Sequence, residues 1–215
     1  MKLKKLRRTV LETARAMNAS GLNRGTSGNV SARCRDGFLV TPSGVPYDLC
    51  TPDRMVVVTL GGEVCGEGRP SSEWRFHRDI YAARPEIGAI VHTHSPHATA
   101  LACLGRPIPA FHYMVAAAGG EDIRVADYAT FGSQALSDHA LAALEGRAAC
   151  LLDRHGVIAT GRDCRRALAL AVEVENLAEM YCTLLAVGEP RLLGAGEMER
   201  VLERFRDYGG AADEA

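Results

Sequence analysis

The chain has 215 residues, with 25 lysines and arginines against 26 aspartates and glutamates, so its formal net charge is −1. This length suits one domain, and the balanced charge argues against a general binder of nucleic acid or anionic membranes and favours a small polar ligand. The seven cysteines form no C-x-x-C pair, which argues against a disulfide framework or a cysteine zinc knuckle and predicts a cytoplasmic protein.

The first part of the chain predicts one helix followed by short strands. Apolar residues recur at spacings of three and four over residues 2–18, which predicts an amphipathic helix with a solvated basic face rather than a targeting signal. A stretch rich in glycine and small polar residues follows. Beyond it, turn residues separate the strand-like runs "VSARC", "GFLVTP", "MVVVTL" and "GEVCGE".

From residue 72 onwards, helical and strand-like segments alternate. We expect helices over residues 72–84, 95–105, 133–146 and 163–187, the last being the longest. The segment "IGAIVHTH" predicts a buried strand, and "ACLLDRHGVIATG" predicts two strands that turn near residues 154–156. No segment has the apolar length that a membrane span needs. No repeat or linker divides residues 1–215, which predicts a single layered α/β domain whose strand order this pattern leaves open.

The histidines of "IVHTHS" suggest a metal site. Successive side chains of a strand point to opposite faces, so His92 and His94 share a face and can reach one ion. The alternative is that both are polar members of a half-buried surface, but His155 in the second strand turn favours the metal. Three imidazoles that leave a coordination position open form the catalytic kind of Zn²⁺ site. For His77, four residues after Glu73, we expect a structural or surface role.

Three turns share one chemical character, namely small residues, free backbone N–H groups and hydroxyl or amide donors. They are "TSGN" at 26–29, "TPSG" at 41–44 and "PSSE" at 70–73. Each alone is an ordinary turn or cap, but converging turns at a helix N-terminus make an anion site without lysine or arginine. Ser71 and Ser72 stand where the helix of residues 72–84 is expected to begin, and Glu73 in its first turn would complement the helix dipole.

Five segments together resemble the class II aldolase/adducin family over nearly the whole chain. They are "GLNRGTSGNVSAR", "VTPSGVPYD", "RPSSEWRFHRDIYAARPEIGAIVHTHSPHATALA", "HYMVAAAGG" and "LLDRHGVIATG". The resemblance implies a three-layer α/β/α fold around a central, mostly antiparallel sheet. It also implies a homotetramer with active sites at subunit interfaces.

The resemblance also implies the roles of individual residues. Zn²⁺, with Mn²⁺ or Co²⁺ as alternatives, would be bound by His92, His94, His155 and Glu73. The phosphate of dihydroxyacetone phosphate would be held by Asn29, Ser43, Gly44, Ser71 and Ser72. Tyr113 and Tyr208, the latter from the C-terminal tail of a neighbouring subunit, would assist proton transfer at the aldehyde. Many relatives have a second histidine where this chain has Arg154, and this difference bears on which substrate the pocket prefers.

The implied reaction is cleavage of a ketose 1-phosphate between C3 and C4 to dihydroxyacetone phosphate and an aldehyde. The metal would stabilise the enediolate charge, and Glu73, once displaced from the metal, would shuttle the proton at C3. L-fuculose 1-phosphate is the first substrate we expect, with 5-methylthioribulose 1-phosphate or 5-deoxyribulose 1-phosphate, in the salvage of nucleoside by-products, as the alternative.

Further alternatives belong to other classes. A sugar-phosphate 4-epimerase remakes the same bond, but that branch usually carries aspartate where this chain has Glu73. An adducin-like scaffold keeps the fold without catalysis, and the three histidines with Glu73 argue against it. A zinc hydrolase with Glu73 as the base is the interpretation left if the resemblance misleads.

Overall fold

The structure is a computed structural model that describes the backbone of residues 3–211 and the side chains through Arg206. Six α-helices and eight strands lie within this described part. In chain order they are α1 (Leu3–Ala19), β1 (Asn29–Cys34), β2 (Gly37–Val40), β3 (Val56–Val58), β4 (Val64–Cys65), α2 (Trp74–Ala83), β5 (Ala89–Thr93), α3 (Pro96–Cys103), β6 (Val125–Ala126), α4 (Gln134–Ala143), β7 (Ala149–Leu152), β8 (Gly156–Gly161), α5 (Cys164–Val187) and α6 (Ala195–Ala211).

All eight strands join one sheet in the order β4-β3-β2-β1-β5-β8-β7-β6. Every neighbouring pair is antiparallel except β6 with β7, which is parallel. This confirms the predicted central, mostly antiparallel sheet. The end of β2, the start of β1, the end of β5 and the start of β8 consequently meet at one end of the sheet.

Helices cover both faces of the sheet. One hydrophobic cluster joins residues of α1, α3, α5 and α6 to one face, and a second joins α2 and α4 to the other. Strand alternation divides the side chains between them, since Val91 belongs to the first cluster and its neighbour Ile90 to the second. The two clusters give the three-layer α/β/α arrangement that the resemblance implied.

Most predicted elements are confirmed with shifts of one to three residues at their ends, but one shift matters for function. The helix expected from residue 72 begins at Trp74, with Glu73 at the N-cap position. Ser71 accounts for the later start of the helix, because its carbonyl accepts the Trp74 N–H at 3.2 Å and its hydroxyl accepts the Glu73 N–H at 3.3 Å. Glu73 makes no capping hydrogen bond with its side chain; its carboxylate instead faces His92 and His155.

Four elements were not predicted. They are the 3₁₀ helices Pro52–Arg54 and Tyr113–Ala118, the two-residue strand β6 and the helix α6. Within residues 3–211, no helix is both long and apolar enough to cross a membrane.

Candidate metal centre and substrate pocket

Four side chains meet at the end of the sheet where β5 stops and β8 begins. Glu73, His92, His94 and His155 each present one ligand atom, and these atoms all lie within 4.8 Å of one another. The His92 and His94 Nε2 atoms are 3.1 Å apart. The two Glu73 oxygens lie 3.2 Å from His92 Nε2 and 2.9 Å from His155 Nε2. The predicted ligand set is therefore a single cluster.

The sheet register explains why these residues converge. His92 pairs with Asn29 of β1 on one side and with Ile158 of β8 on the other. His155 lies in the turn that leads from β7 into β8, where Arg154 adopts a positive φ of 53°. This left-handed backbone conformation is rare for residues other than glycine and asparagine, and it turns the chain immediately before His155.

Hydrogen bonding orients His92 toward the cluster. Its Nδ1 lies 2.8 Å from the Val157 carbonyl, which only accepts, so Nδ1 carries the proton and the Nε2 lone pair faces the other ligands. Burial, together with His92 and His155, lowers the pKa of His94 to about 4, which keeps its imidazole neutral. Neutral imidazole is the form that binds a metal.

Glu73 and His92 influence each other strongly. Burial acts to raise the pKa of Glu73, but His92 and His155 outweigh it and hold that pKa below its ordinary value. Burial likewise acts to lower the pKa of His92, and the Glu73 carboxylate reverses the direction. The cluster thus joins a buried carboxylate to imidazoles that stabilise its charged form.

The donor set fits a divalent metal ion. Three imidazole nitrogens and one carboxylate oxygen are ligands that suit Zn²⁺ and related metals. Glu73 Oε1 is buried and makes no hydrogen bond of regular geometry, although His155 Nε2 lies 2.9 Å away; an ion between these two ligand atoms would satisfy both. Glu73, His92, His94 and His155 would therefore hold the ion.

The three small-residue turns line one cavity beside this cluster. The cavity has a volume of about 340 Å³. Its wall includes the five residues predicted for the phosphate, which are Asn29, Ser43, Gly44, Ser71 and Ser72. One expectation was wrong in detail, since Ser71 already accepts the Glu73 and Trp74 N–H groups, and these two are not unpaired donors for an anion.

Gly28 lets the first turn approach the metal cluster. Its φ is +69°, and a Cβ built there would lie 2.6 Å from the His92 carbonyl oxygen. Any other residue would force the turn away from β5. Next to it, the Asn23 side-chain oxygen accepts the His94 N–H at 3.2 Å, so the same loop also holds the backbone at a cluster residue.

A scan against protein families matches the class II aldolase and adducin N-terminal domain over residues 8–182. The chain belongs to the class II aldolase and adducin family. This confirms the family that the sequence resembles. Because similar proteins are named aldolases, it also confirms the prediction of a metal-dependent aldehyde-lyase.

Two curated relatives of this family member carry different substrate names. A 5-methylthioribulose-1-phosphate/5-deoxyribulose-1-phosphate aldolase of Rhodospirillum rubrum is 58% identical over 207 residues, which are 96% of this chain and 94% of the relative. An L-fuculose phosphate aldolase of Escherichia coli K12 is 48% identical over 210 residues, 97% of this chain and 98% of the relative.

The fold is that of a solved aldolase. A structure named L-fuculose 1-phosphate aldolase superposes with a TM-score of 0.91 and 40% identity, covering 94% of this chain and 96% of that one.

Of the two tyrosines predicted to assist proton transfer, Tyr113 does not line the pocket of this aldolase-family chain. Tyr113 begins the 3₁₀ helix, is 51% exposed and lines a groove with Phe205 of α6. Tyr208 falls in α6, where its side chain lies outside the described part of the chain. The roles of both stay predictions.

Sequence reasoning missed an aromatic wall at the pocket mouth. Tyr128 and Phe131 line the cavity while remaining 53% and 67% exposed. The Arg154 guanidinium lies over the Tyr128 ring, 5.6 Å from its centre, and also lines the cavity. The segment "DYATFGS" offered a signal, because two aromatic residues in a polar loop without periodicity are more consistent with a binding surface than with a core. His77, as expected, does not join the metal cluster.

Proposed function

We propose that this chain is a divalent-metal aldolase that cleaves 5-methylthioribulose 1-phosphate or 5-deoxyribulose 1-phosphate to dihydroxyacetone phosphate and an aldehyde. The main support is one pocket that joins the cluster of Glu73, His92, His94 and His155 to three small-residue turns. The 58% identical relative bears this name. That relative reverses the order expected from sequence, in which L-fuculose 1-phosphate came first.

The turns and the cluster divide the substrate between them. Ser43, Gly44, Ser71, Ser72 and Asn29 bind the phosphate through hydroxyl, amide and backbone donors, which suit a dianion without a lysine. When bound, a divalent ion, which we propose to be Zn²⁺, supplies a Lewis acid for negative charge on the substrate oxygens. Binding of the phosphate places C3 of the ketose near the cluster.

Glu73 moves the proton at C3. Glu73 is buried at the N-cap of α2, lines the substrate cavity and accepts a hydrogen bond from Asn29 Nδ2 at 2.9 Å. Once the substrate displaces it from the metal, its carboxylate is placed to act at C3. A general base of this kind works by position first and by pKa second. Tyr113, or Tyr208 from the C-terminal tail of a neighbouring subunit, is proposed to deprotonate the C4 hydroxyl as the bond breaks.

The aromatic wall supports the choice of aldehyde. Cleavage between C3 and C4 releases acetaldehyde from 5-deoxyribulose 1-phosphate and methylthioacetaldehyde from the methylthio sugar, and neither tail carries a hydroxyl group. Tyr128 and Phe131 offer apolar surface at the mouth, which favours such tails through burial and sulfur–aromatic contact. The second candidate is L-fuculose 1-phosphate, supported by the 48% identical relative and the superposed structure.

A panel of ketose 1-phosphates tests the substrate. Release of dihydroxyacetone phosphate is followed with a coupled reductase for the methylthio, 5-deoxy and L-fuculose sugars. We expect the highest kcat/KM for the first two. A higher value for L-fuculose 1-phosphate would make the second candidate the function, and no release from any sugar would favour the epimerase, the scaffold or the hydrolase.

Metal removal and Glu73→Gln test the chemistry. Chelator-treated protein should lose activity and regain it with Zn²⁺, whereas full activity without metal would refute the proposal. Glu73→Gln should lower turnover far more than metal content, because three histidines still bind the ion. Glu63→Gln, at a residue that is not part of the pocket wall, is the matched control and should leave both values unchanged.

We also propose that the chain acts in the cytoplasm as a homotetramer. The exposed Tyr128 and Phe131 support an interface close to the pocket. The seven unpaired cysteines, all within the described residues, support a reducing compartment. Light scattering coupled to gel filtration gives the assembly state. A monomer would refute the interface, and fractionation of cells tests the compartment.

A further inference from the structure

A row of buried polar side chains runs from Glu73 into the layer between α2 and the sheet. Asn29 Nδ2 donates to Glu73 Oε2 at 2.9 Å, and Asn29 Oδ1 lies 2.5 Å from His77 Nε2. His77 Nδ1 is 2.7 Å from Ser31 Oγ, which is 2.8 Å from the Tyr81 hydroxyl. His77 and Ser31 are fully buried, and Asn29 and Tyr81 are 2% and 1% exposed.

The members of the row come alternately from α2 and β1, because one helical turn and two strand residues rise by nearly the same distance. Glu73, His77 and Tyr81 stand four residues apart along α2, where four residues rise about 6 Å. Asn29 and Ser31 stand two residues apart on one face of β1, where two residues rise about 6.6 Å. Each strand side chain therefore fits between two helix side chains.

The hydrogen atoms in this row can be assigned from its acidic end. The Glu73 carboxylate only accepts, so the Asn29 amide nitrogen faces it and the amide oxygen faces His77. An amide oxygen also only accepts, so His77 carries its proton on Nε2. Burial, followed by the nearby His92, lowers the pKa of His77 to about 3, and the neutral ring has one N–H.

The same logic reaches the other end. Because His77 is protonated on Nε2, its Nδ1 accepts from the Ser31 hydroxyl. Ser31 has then used its hydrogen, so the Tyr81 hydroxyl donates to Ser31 Oγ. All four hydrogen bonds point the same way, from Tyr81 toward Glu73, and every member has a partner.

We propose that His77 is a positioning residue of the active site, which as the Nε2–H tautomer holds the Asn29 amide with its nitrogen toward Glu73 Oε2. This inference rests on the proposed function, in which Glu73 transfers the proton and Asn29 binds the phosphate. The Asn29 nitrogen has a second hydrogen, and Asn29 lines the substrate cavity. One histidine thus orients both the proton-transferring carboxylate and a donor to the substrate.

Loss of this contact has a defined consequence. Without the Nε2–H donor, the buried Asn29 oxygen has no partner and the amide is no longer fixed. The carboxylate of Glu73 then loses its oriented neighbour. We expect lower turnover per bound metal ion, because none of the four metal-binding residues has been changed.

Two substitutions of similar size separate positioning from simple packing. Glutamine can place its amide nitrogen where histidine has Nε2, whereas the shorter asparagine reaches only toward Ser31. His77→Asn should lower kcat by about 10-fold to 100-fold, the range seen when the hydrogen-bonded groups behind a metal ligand are disturbed, because Asn29, the partner of Glu73, loses its own partner. His77→Gln should restore most of that loss. Equal losses in the two variants, or wild-type kcat and KM in His77→Asn, would overturn the proposal.

Ser137→Ala is the control for destabilisation alone. Ser137 is fully buried on α4, which covers the same face of the sheet, and donates to Asp79 at 2.6 Å. This variant should lower the melting temperature and leave kcat unchanged. If Ser137→Ala lowered kcat as much as His77→Asn, the effect of His77 would be one of stability, and the proposal would be wrong.

A measurement on the unaltered protein needs no substrate. In the full chain loaded with Zn²⁺, ¹⁵N spectra of labelled histidine should show His77 protonated on Nε2, with its signal identified by its absence from His77→Gln. Protonation on Nδ1 would overturn the assignment. The spectrum is independent of the substrate panel, so a failed panel with the Nε2–H form present would count against the proposed function and not against the positioning.

Discussion

The carboxylate of Glu175 replaces the missing cap of α3, and its removal gives a quantitative prediction. Ser95 occupies the N-cap of α3 but makes no capping hydrogen bond with its side chain. Instead Glu175, from α5, accepts the His97 N–H at 2.9 Å and the Ala98 N–H at 3.0 Å. His94 lies one residue before this cap, so Glu175 fixes the chain where it leaves the metal cluster.

The magnitude of the Glu175→Gln effect follows from these contacts. A cap contributes about 1 kcal/mol and a negative charge at a helix N-terminus adds about 0.3–1 kcal/mol. Glutamine offers one acceptor oxygen instead of two and brings N–H groups toward another N–H. We therefore expect Glu175→Gln to lower the free energy of unfolding by about 1–2 kcal/mol, which is about 2–8 °C in melting temperature for a chain of this size.

The assay is thermal unfolding of metal-loaded protein, with metal affinity measured on the same samples. Affinity should also fall, because the chain after His94 becomes less ordered. Glu179→Gln, at the exposed residue one helical turn further along α5, is the matched control and should melt like the wild type. An unchanged melting temperature in Glu175→Gln, or equal losses in both variants, would refute the reasoning.

Three further substitutions probe the pocket and the helix layer. Arg154→Gln should raise KM for the sugar phosphate several-fold, because it removes a positive charge from the cavity wall. The rise in KM should be smaller at high salt, which screens a side chain that is 64% exposed; kinetics at two ionic strengths check this. Gly132→Ala should lower the melting temperature and raise KM, since φ is +72° and the new Cβ would lie 2.7 Å from the Ser72 oxygen. Asp79→Asn should lower the free energy of unfolding by about 1 kcal/mol at neutral pH. Burial acts to raise the pKa of Asp79, but hydrogen bonds from Arg78, Ser137 and Gln134 outweigh it and lower that pKa. The contribution to stability is therefore lost as the pH falls through the lowered pKa, and the melting temperatures of the wild type and Asp79→Asn should become equal in acid.

Local periodicity was sufficient to predict most elements and the His92–His94 pair. Alternation along β5 depends only on neighbouring residues, and the prediction that both histidines share a face needed nothing more. The proximity of His155 is different. It depends on β8 lying beside β5 in the sheet, and strand order is a property of the whole chain that no local pattern contains.

The start of α2 shows the limit of sequence signals at helix ends. Serine is a common capping residue, so residues 71–72 suggested an earlier start than the one observed. Ser71 instead bonds the N–H groups of Glu73 and Trp74, which leaves the Glu73 side chain free to turn toward the histidines. The helix α6 was not predicted, although Met198, Val201, Leu202 and Phe205 repeat at helical spacing.

The site is tied to the fold through the register of three strands. Asn29, His92 and Ile158 lie opposite one another across β1, β5 and β8, and the turns that flank these strands carry the remaining polar groups. A slip of one residue between β1 and β5 would turn Asn29 to the other face of the sheet. That slip would separate Asn29 from Glu73 and bury polar groups against α1 and α5. The hydrogen bonds from Tyr81 to Glu73 therefore help to specify the register itself, and a variant that breaks them should lose positional order in the active site before it loses the fold.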